Sequence, residues 1–208
     1  MHFDLFEILR SFGPYATAII FMIIFAESGL FFGFFLPGDS LLFSAGFLAS
    51  QGVMNIVVLC IGSFICAVLG DSVGYWFGQK YGKSIFKSED SWLFNKAHIV
   101  RAEKFYEKHG KKTIIIARFV PAVRTFAPIV AGIGNMHYDT FIKYNIVGGF
   151  LWTFGMTLGG YFLGNLLPAD KVEKYLLAII AAIILISVLP AVYHFLEERK
   201  LHLKQEKN

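Results

Sequence analysis

Residues 117–130 read ARFVPAVRTFAPIV, which places Arg118, Arg124, Pro121 and Pro128 in otherwise apolar or small company. Proline removes a backbone donor and restricts the residue before it, so this stretch is not one uninterrupted helix. Its surroundings are apolar in both directions. Uncharged runs occupy Ser11–Ala26, Ser40–Gly70, Tyr144–Ala169 and Tyr175–Leu196, the last of them 22 residues long. About 20 such residues cross roughly 30 Å of hydrocarbon as a helix. Charged residues make up 16% of the chain, against about 25% in soluble domains. A soluble protein of 208 residues has no use for four such runs. The medium is a bilayer, and the arginines of 117–130 lie inside it.

Broken, charged backbone at membrane depth is tolerated only where protein or a wet cavity surrounds it. Residues 113–134 therefore read as a re-entrant hairpin. A second one is expected at 27–50, where Glu27 interrupts the apolar stretch 11–36 and Pro37-Gly38-Asp39 breaks it again. The apolar segment 40–50 that follows is too short to span. Full spans are expected at 53–78, 141–167 and 172–196.

Basic residues divide by side. Residues 80–112 carry nine lysines and arginines, and the tail after Leu196 carries Arg199, Lys200, Lys204 and Lys207. The positive-inside rule makes both segments cytoplasmic, with an interfacial amphipathic helix around 95–109. The net charge of +4 is thus a topological signal and not a nucleic-acid footprint. Asp4 and Glu7 against Arg10 do not form the positive start of a cleaved signal. Cys60 and Cys66 sit inside an apolar run and read as small hydrophobes.

An internal repeat organises these pieces. Gly74-Tyr75-Trp76-Phe77-Gly78 and Gly160-Tyr161-Phe162-Leu163-Gly164 share one frame at an offset of 86, and Phe35-Leu36-Pro37 precedes Phe119-Val120-Pro121 by 84. With the basic loop inside, the first hairpin dips from outside and the second from inside. That is the inverted repeat with which transporters place a site at the midplane. The expected fold is an all-α integral membrane protein of two re-entrant hairpin-plus-span units in inverted repeat, with an additional C-terminal transmembrane helix. It forms a single membrane domain: hairpin and span at 11–78, basic loop at 79–112, hairpin and span at 113–167, terminal helix at 172–196 and basic tail at 197–208.

Charges in a bilayer cost at least about 2.5–3.5 kcal/mol each on insertion scales and are functional by default. Glu27, Asp39 and Asp71 lie in the first unit, Arg118 and Arg124 in the second. Structural ion pairing is the simplest role for any one of them, but buried pairs give little net stability once desolvation is counted. Arginine suits two-pronged recognition of a phosphate or carboxylate, so Arg118 and Arg124 are the candidate substrate-binding residues. Glu27, Asp39 and Asp71, pulled between desolvation and an arginine, are the candidate proton-coupling groups. Pro37, Gly38, Pro121 and Pro128 break the hairpins. A helix-end partner of the basic loop is the alternative role for Asp71.

These motifs together resemble the DedA family, whose core is also called the VTT or SNARE-associated domain. The resemblance rests on Arg118-Phe119-x-Pro121-x-x-Arg124, on Glu27 with Pro37-Gly38-Asp39, and on Gly70-Asp71-x-x-Gly74-Tyr75. The downstream Phe141, Asn145, Gly149 and Trp152 complete it. It covers residues 13 to 165 and implies a bacterial inner-membrane protein with two re-entrant hairpins. It further implies flipping of undecaprenyl phosphate or another phospholipid, dependence on the proton motive force, and a part in envelope integrity. The family's essential acids and arginines fall on Glu27, Asp39, Arg118 and Arg124. Many members have a proline soon after the first glutamate, whereas here Ser28-Gly29 follows Glu27.

A proton-coupled small-ion or drug antiporter would use the same charges, although a phosphate substrate better explains paired arginines. A structural scaffold would need no buried arginines. An intramembrane enzyme is not expected. G-x-S-x-G is missing, residues 68–71 read Val-Leu-Gly-Asp instead of G-x-G-D, and His98, His109 and His137 form no phosphatase constellation. No cofactor, metal or nucleic-acid motif is present. The expected partners are protons and a lipid with a phosphate head group.

Overall fold

The computed structural model describes residues 5–29, 37–85 and 112–167. Among them every regular element is helical: α1 (Leu5–Gly29), α2 (Gly38–Ser50), α3 (Ile56–Ile85), α4 (Thr113–Ala117), α5 (Pro121–Arg124), α6 (Phe126–Ile133) and α7 (Tyr138–Leu166). The expected interfacial helix at 95–109, the span at 172–196 and the tail lie outside the described residues.

The two long helices set the frame. With 30 and 29 residues, α3 and α7 are each about 45 Å long at 1.5 Å per residue, enough to cross a bilayer. On α3, Val57, Ile61, Ile65, Leu69 and Val73 form an exposed stripe at four-residue spacing, and Ile146, Val147, Phe150 and Leu151 do the same on α7. Apolar stripes of this extent need lipid against them. α3 runs on beyond the expected span at 53–78, to Ile85, into the segment assigned to the basic loop. The Lys80 ammonium lies 4.7 Å from the centroid of the Trp76 ring and 5.3 Å from that of Tyr81. Such amphipathic anchoring lets a helix run on past the hydrocarbon edge.

α3 and α7 run antiparallel. Asn145 donates to the Val68 carbonyl at 3.1 Å, Phe64 meets Phe150 and Phe154 edge-on, and Tyr75 stacks on Phe141 at 4.7 Å. The shorter helices are placed by what they touch. α1 runs alongside α3 in the same direction, with Gly13 at Val53, Phe21 at Gly62 and Gly29 at Gly70, so it ends level with the middle of α3. α2 then runs back along α7, from Asp39 at Trp152 through Gly46 at Thr157 to Ser50 at Gly164. The second half does the same at the opposite end of the bundle. Ile115 and Arg118 pack on Gly148, Arg124 reaches Trp152, and α6 returns along α3 with Ile129 at Gly78 and Gly132 at Tyr75.

Thus α1 and α2 both meet mid-bundle and diverge toward the turn at 51–55, whereas α4 to α6 open toward the turn at 134–137. Residues 113–134 match α4 to α6 closely. In the segment expected at 27–50, Glu27 lies near the end of the described part of α1, Gly38–Ser50 form α2, and 30–36 lie outside the described residues. Pro121 takes the first position of α5, where a missing N–H costs nothing. Pro128 lies in the first turn of α6, which tolerates it for the same reason.

Glycine makes the close approaches possible. A Cβ at Gly46 would run into the Thr157 carbonyl, and one at Gly160 into that of Phe43. Likewise a Cβ at Gly132 would strike the Tyr75 carbonyl, and one at Gly78 that of Ile129. The two sets correspond position by position, Phe43 and Gly46 answering to Ile129 and Gly132, Tyr75 and Gly78 to Thr157 and Gly160. The contacts therefore pair Gly78 with Gly160, one helical turn away from the Gly74–Gly160 frame in the sequence.

Candidate substrate and ion site

Two ionic clusters lie where the short helices meet the middles of α3 and α7. The first draws one residue from each of four elements. Arg124, at the end of α5, donates from Nη1 to Asp39 Oδ1 at 2.7 Å and from Nη2 to Glu27 Oε1. Asp39 is in the first turn of α2, and Trp152 of α7 donates from Nε1 to the same Asp39 Oδ1 at 2.6 Å. The Arg124 guanidinium lies 4.8 Å from the centroid of the Trp152 ring, a cation–π contact in a desolvated setting. Two carboxylates share one guanidinium, so the formal charges of the three ionic groups in this cluster do not cancel. Exposure is graded across it: Glu27 1%, Arg124 11% and Asp39 33% by side chain. Asp39 is where it opens.

Local sequence explains the approach of Glu27. A Cβ on residue 38 would occupy the space of the Glu27 carboxylate, so only glycine admits that side chain. Pro37 lies just ahead of α2, and its carbonyl accepts from the Leu41 N–H at 2.9 Å.

The second cluster is closed. Arg118 Nη2 donates to Asp71 Oδ2, to Asn145 Oδ1 at 2.5 Å and weakly to the Ala67 carbonyl at 3.4 Å. All three side chains are buried. Asn145 is held in turn by its bond to Val68, and Gly148 and Gly149 leave room for the Arg118 side chain. This cluster ties α3, α4 and α7 together. Arg118 also lies 5.9 Å from the Trp152 ring centroid, so one indole touches both arginines.

All five charged candidates thus lie in the middle of the bundle, but in two groups: Glu27 and Asp39 with Arg124, and Asp71 with Arg118. Pro128 packs toward Gly74 instead of facing either cluster. Asn145 and Trp152 carry no charge, and the sequence reading assigned them no role. A buried amide in an apolar span and an indole donor opposite an acid were the available signals. An open groove of about 410 Å³ lies elsewhere, lined by Gly13, Thr17, Phe21, Met54 and Asn55, with none of the charged residues in it. Cys60 and Cys66 are unbridged.

Helices of bilayer-crossing length, apolar outer stripes and buried ion pairs at mid-depth define a helical membrane protein. The VTT domain family matches residues 36–162. Protein DedA of Escherichia coli K12 is 42% identical over 204 residues, covering 96% of this chain and 92% of its own. An uncharacterized membrane protein of Mycobacterium leprae is 44% identical over 182 residues, covering 86% and 80%. Inner membrane protein YqjA of Escherichia coli K12 is 35% identical over 162 residues, covering 77% and 73%. The chain belongs to the DedA family of VTT-domain membrane proteins. No solved structure matches it.

Proposed function

We propose that this protein moves a phosphate-headed lipid, undecaprenyl phosphate or another phospholipid, across the bacterial inner membrane, coupled to the proton motive force. The observation that carries this reading is Arg124. It is a forked cation at mid-depth, incompletely sealed, and it faces two carboxylates that compete for it. Guanidinium matches a phosphate through paired N–H donors. Protonation of Glu27 or Asp39 frees one of those donors for a head group, and deprotonation returns it, which links anion binding to proton uptake. The reaction breaks no covalent bond, so the protein works as a translocase and not as an enzyme. Arg118, locked by Asp71 and Asn145, serves the site by holding α4 against α7 and presenting a second positive charge beside Trp152.

The corresponding glycine contacts of α2 on α7 and α6 on α3 support an inverted repeat. In it α1–α2 and α4–α6 are re-entrant hairpins entering from opposite sides. The basic loop then fixes the 134–137 turn as cytoplasmic and the 51–55 turn as external. The purified protein in liposomes, loaded with undecaprenyl phosphate, tests the function. Head-group accessibility should equilibrate or concentrate across the bilayer faster than in empty vesicles, and an imposed pH gradient should change its direction or extent. Cation or drug flux without lipid movement would replace this reading with the antiporter one.

A further inference from the structure

Asp39 is held by two donors at one atom, and the second donor is not charged. Both Arg124 Nη1, at 2.7 Å, and Trp152 Nε1, at 2.6 Å, donate to Asp39 Oδ1. Trp152 is itself fixed, 3% exposed and packed with Ile20, Ile24, Leu42 and Ala45 in the main apolar cluster. It sits at the middle of α7, while Asp39 opens the first turn of α2. Asp39 is 33% exposed by side chain, so on losing Arg124 with no other partner it would keep water on its open side but no protein donor on its buried side, which costs a charged acceptor part of its solvation. With the indole N–H on the same oxygen, it keeps a partner.

We propose that Trp152 is a positioning residue that retains Asp39 while Arg124 is handed to an incoming phosphate head group. This deepens the lipid-phosphate reading and rests on it. The indole has two separable parts in this arrangement. Its N–H holds Asp39. Its ring is the floor under the Arg124 guanidinium, and the Arg118 guanidinium lies farther off, 5.9 Å from the ring centroid. The charged groups around it come from every packed element: Glu27 from α1, Asp39 from α2, Asp71 from α3, Arg118 following α4 and Arg124 from α5. Only Asp39 receives the indole proton, so removing that proton acts through Asp39 alone.

The test is binding of dodecyl phosphate to the full-length protein in nonionic detergent, with inorganic phosphate as a parallel arm. The set is wild type, Trp152→Phe, Asp39→Ala and the double variant. Phenylalanine keeps a ring beneath Arg124 and removes the donor. Trp152→Phe should weaken dodecyl phosphate binding at least about tenfold, the scale of a hydrogen bond to a charged group. In the Asp39→Ala background the same change should have no further effect, because the acid it positions is gone. Equal losses in both backgrounds would mean a packing role and overturn the proposal, as would full binding by Trp152→Phe. No binding by wild type would overturn the lipid-phosphate reading itself, and equal affinity for inorganic phosphate would make the ligand a free anion. Should Trp152→Phe fail to fold, the indole N–H resonance of Trp152 in the otherwise native protein decides. It must shift in Asp39→Ala and remain hydrogen-bonded when dodecyl phosphate is added to wild type. An indole resonance indifferent to Asp39 sinks the proposal.

Discussion

At the residue scale, the two arginines differ in what they hold. Arg124 bridges two carboxylates from two nitrogens, whereas Arg118 directs one nitrogen at three acceptors in a sealed space. Arg118→Ala strands the buried Asp71, which should cost about 3–5 kcal/mol and deplete the protein from the membrane. Replacing both partners together, as Arg118→Met with Asp71→Leu, should restore much of the thermal stability in detergent, because no charge is left alone. A double variant no more stable than Arg118→Ala would argue against a mainly structural pair. Gly38→Ala should abolish transport about as fully as Glu27→Ala with normal membrane levels, since the added methyl takes the Glu27 carboxylate's place. Wild-type transport by Gly38→Ala would show that Glu27 is not needed where it sits. The five charges were legible in the sequence because an ion in an apolar run stands out. Their pairing was not, since Asp71 and Arg118 are 47 residues apart and Glu27 and Arg124 97 apart, and only the packing of α4 and α5 decides which acid each arginine meets. Asn145 and Trp152 stood out only within the family motif, without a role, because neither is charged and an indole is usually core.

At the element scale, the short helices are held to the long ones by glycine, so bulk at these contacts should be costly. Gly160→Val would push α7 from the Phe43 backbone and Gly78→Val would push α3 from Ile129. Each should destabilise by about 2 kcal/mol or more. Gly155 meets nothing within 4 Å, so Gly155→Ala should be neutral. Melting of the detergent-solubilised variants checks this, and equal loss at all three positions would contradict the interlocked packing. Pro37-Gly38 and Pro121 announced breaks, and 113–134 was legible as a unit because its prolines and arginines interrupt an apolar run. How far α1 reaches was not legible: residues 11–26 are apolar enough for a span, and only the alignment of Gly29 with Gly70 shows that the described part of α1 reaches the middle of α3. That α3 runs on past Gly78 was not legible for a related reason: Lys80 looks like loop until its ammonium is seen over the Trp76 ring.

At the scale of the whole molecule, the turns at 51–55 and 134–137 lie at opposite ends of the bundle, with α3 leading from one toward the other. Single cysteines at Gly52, an exposed position with φ 72°, and at Asn135, exposed with φ 51°, in a background with Cys60 and Cys66 replaced by alanine, should react with a membrane-impermeant thiol reagent from opposite sides. Residue 52 should label from outside intact cells and residue 135 only after permeabilisation. Labelling of both from one side would break the inverted arrangement. The all-helical membrane class was legible in the sequence through its apolar runs, while the repeated glycine frame is a turn away from the glycines that pack equivalently. Sequence periodicity marks which face is small, not which turn a distant backbone will touch.

The central claim is that Arg124, shared between Glu27 and Asp39 at mid-depth, is where a lipid phosphate binds and is coupled to protons. Its most direct test is undecaprenyl phosphate translocation in liposomes, measured side by side for wild type and Arg124→Lys, with and without a pH gradient. Lysine keeps the charge but loses the fork that reaches two partners. The account predicts gradient-dependent translocation by wild type and a rate at least about a hundredfold lower for folded Arg124→Lys. Wild-type translocation by Arg124→Lys, responding to the gradient as before, would contradict it.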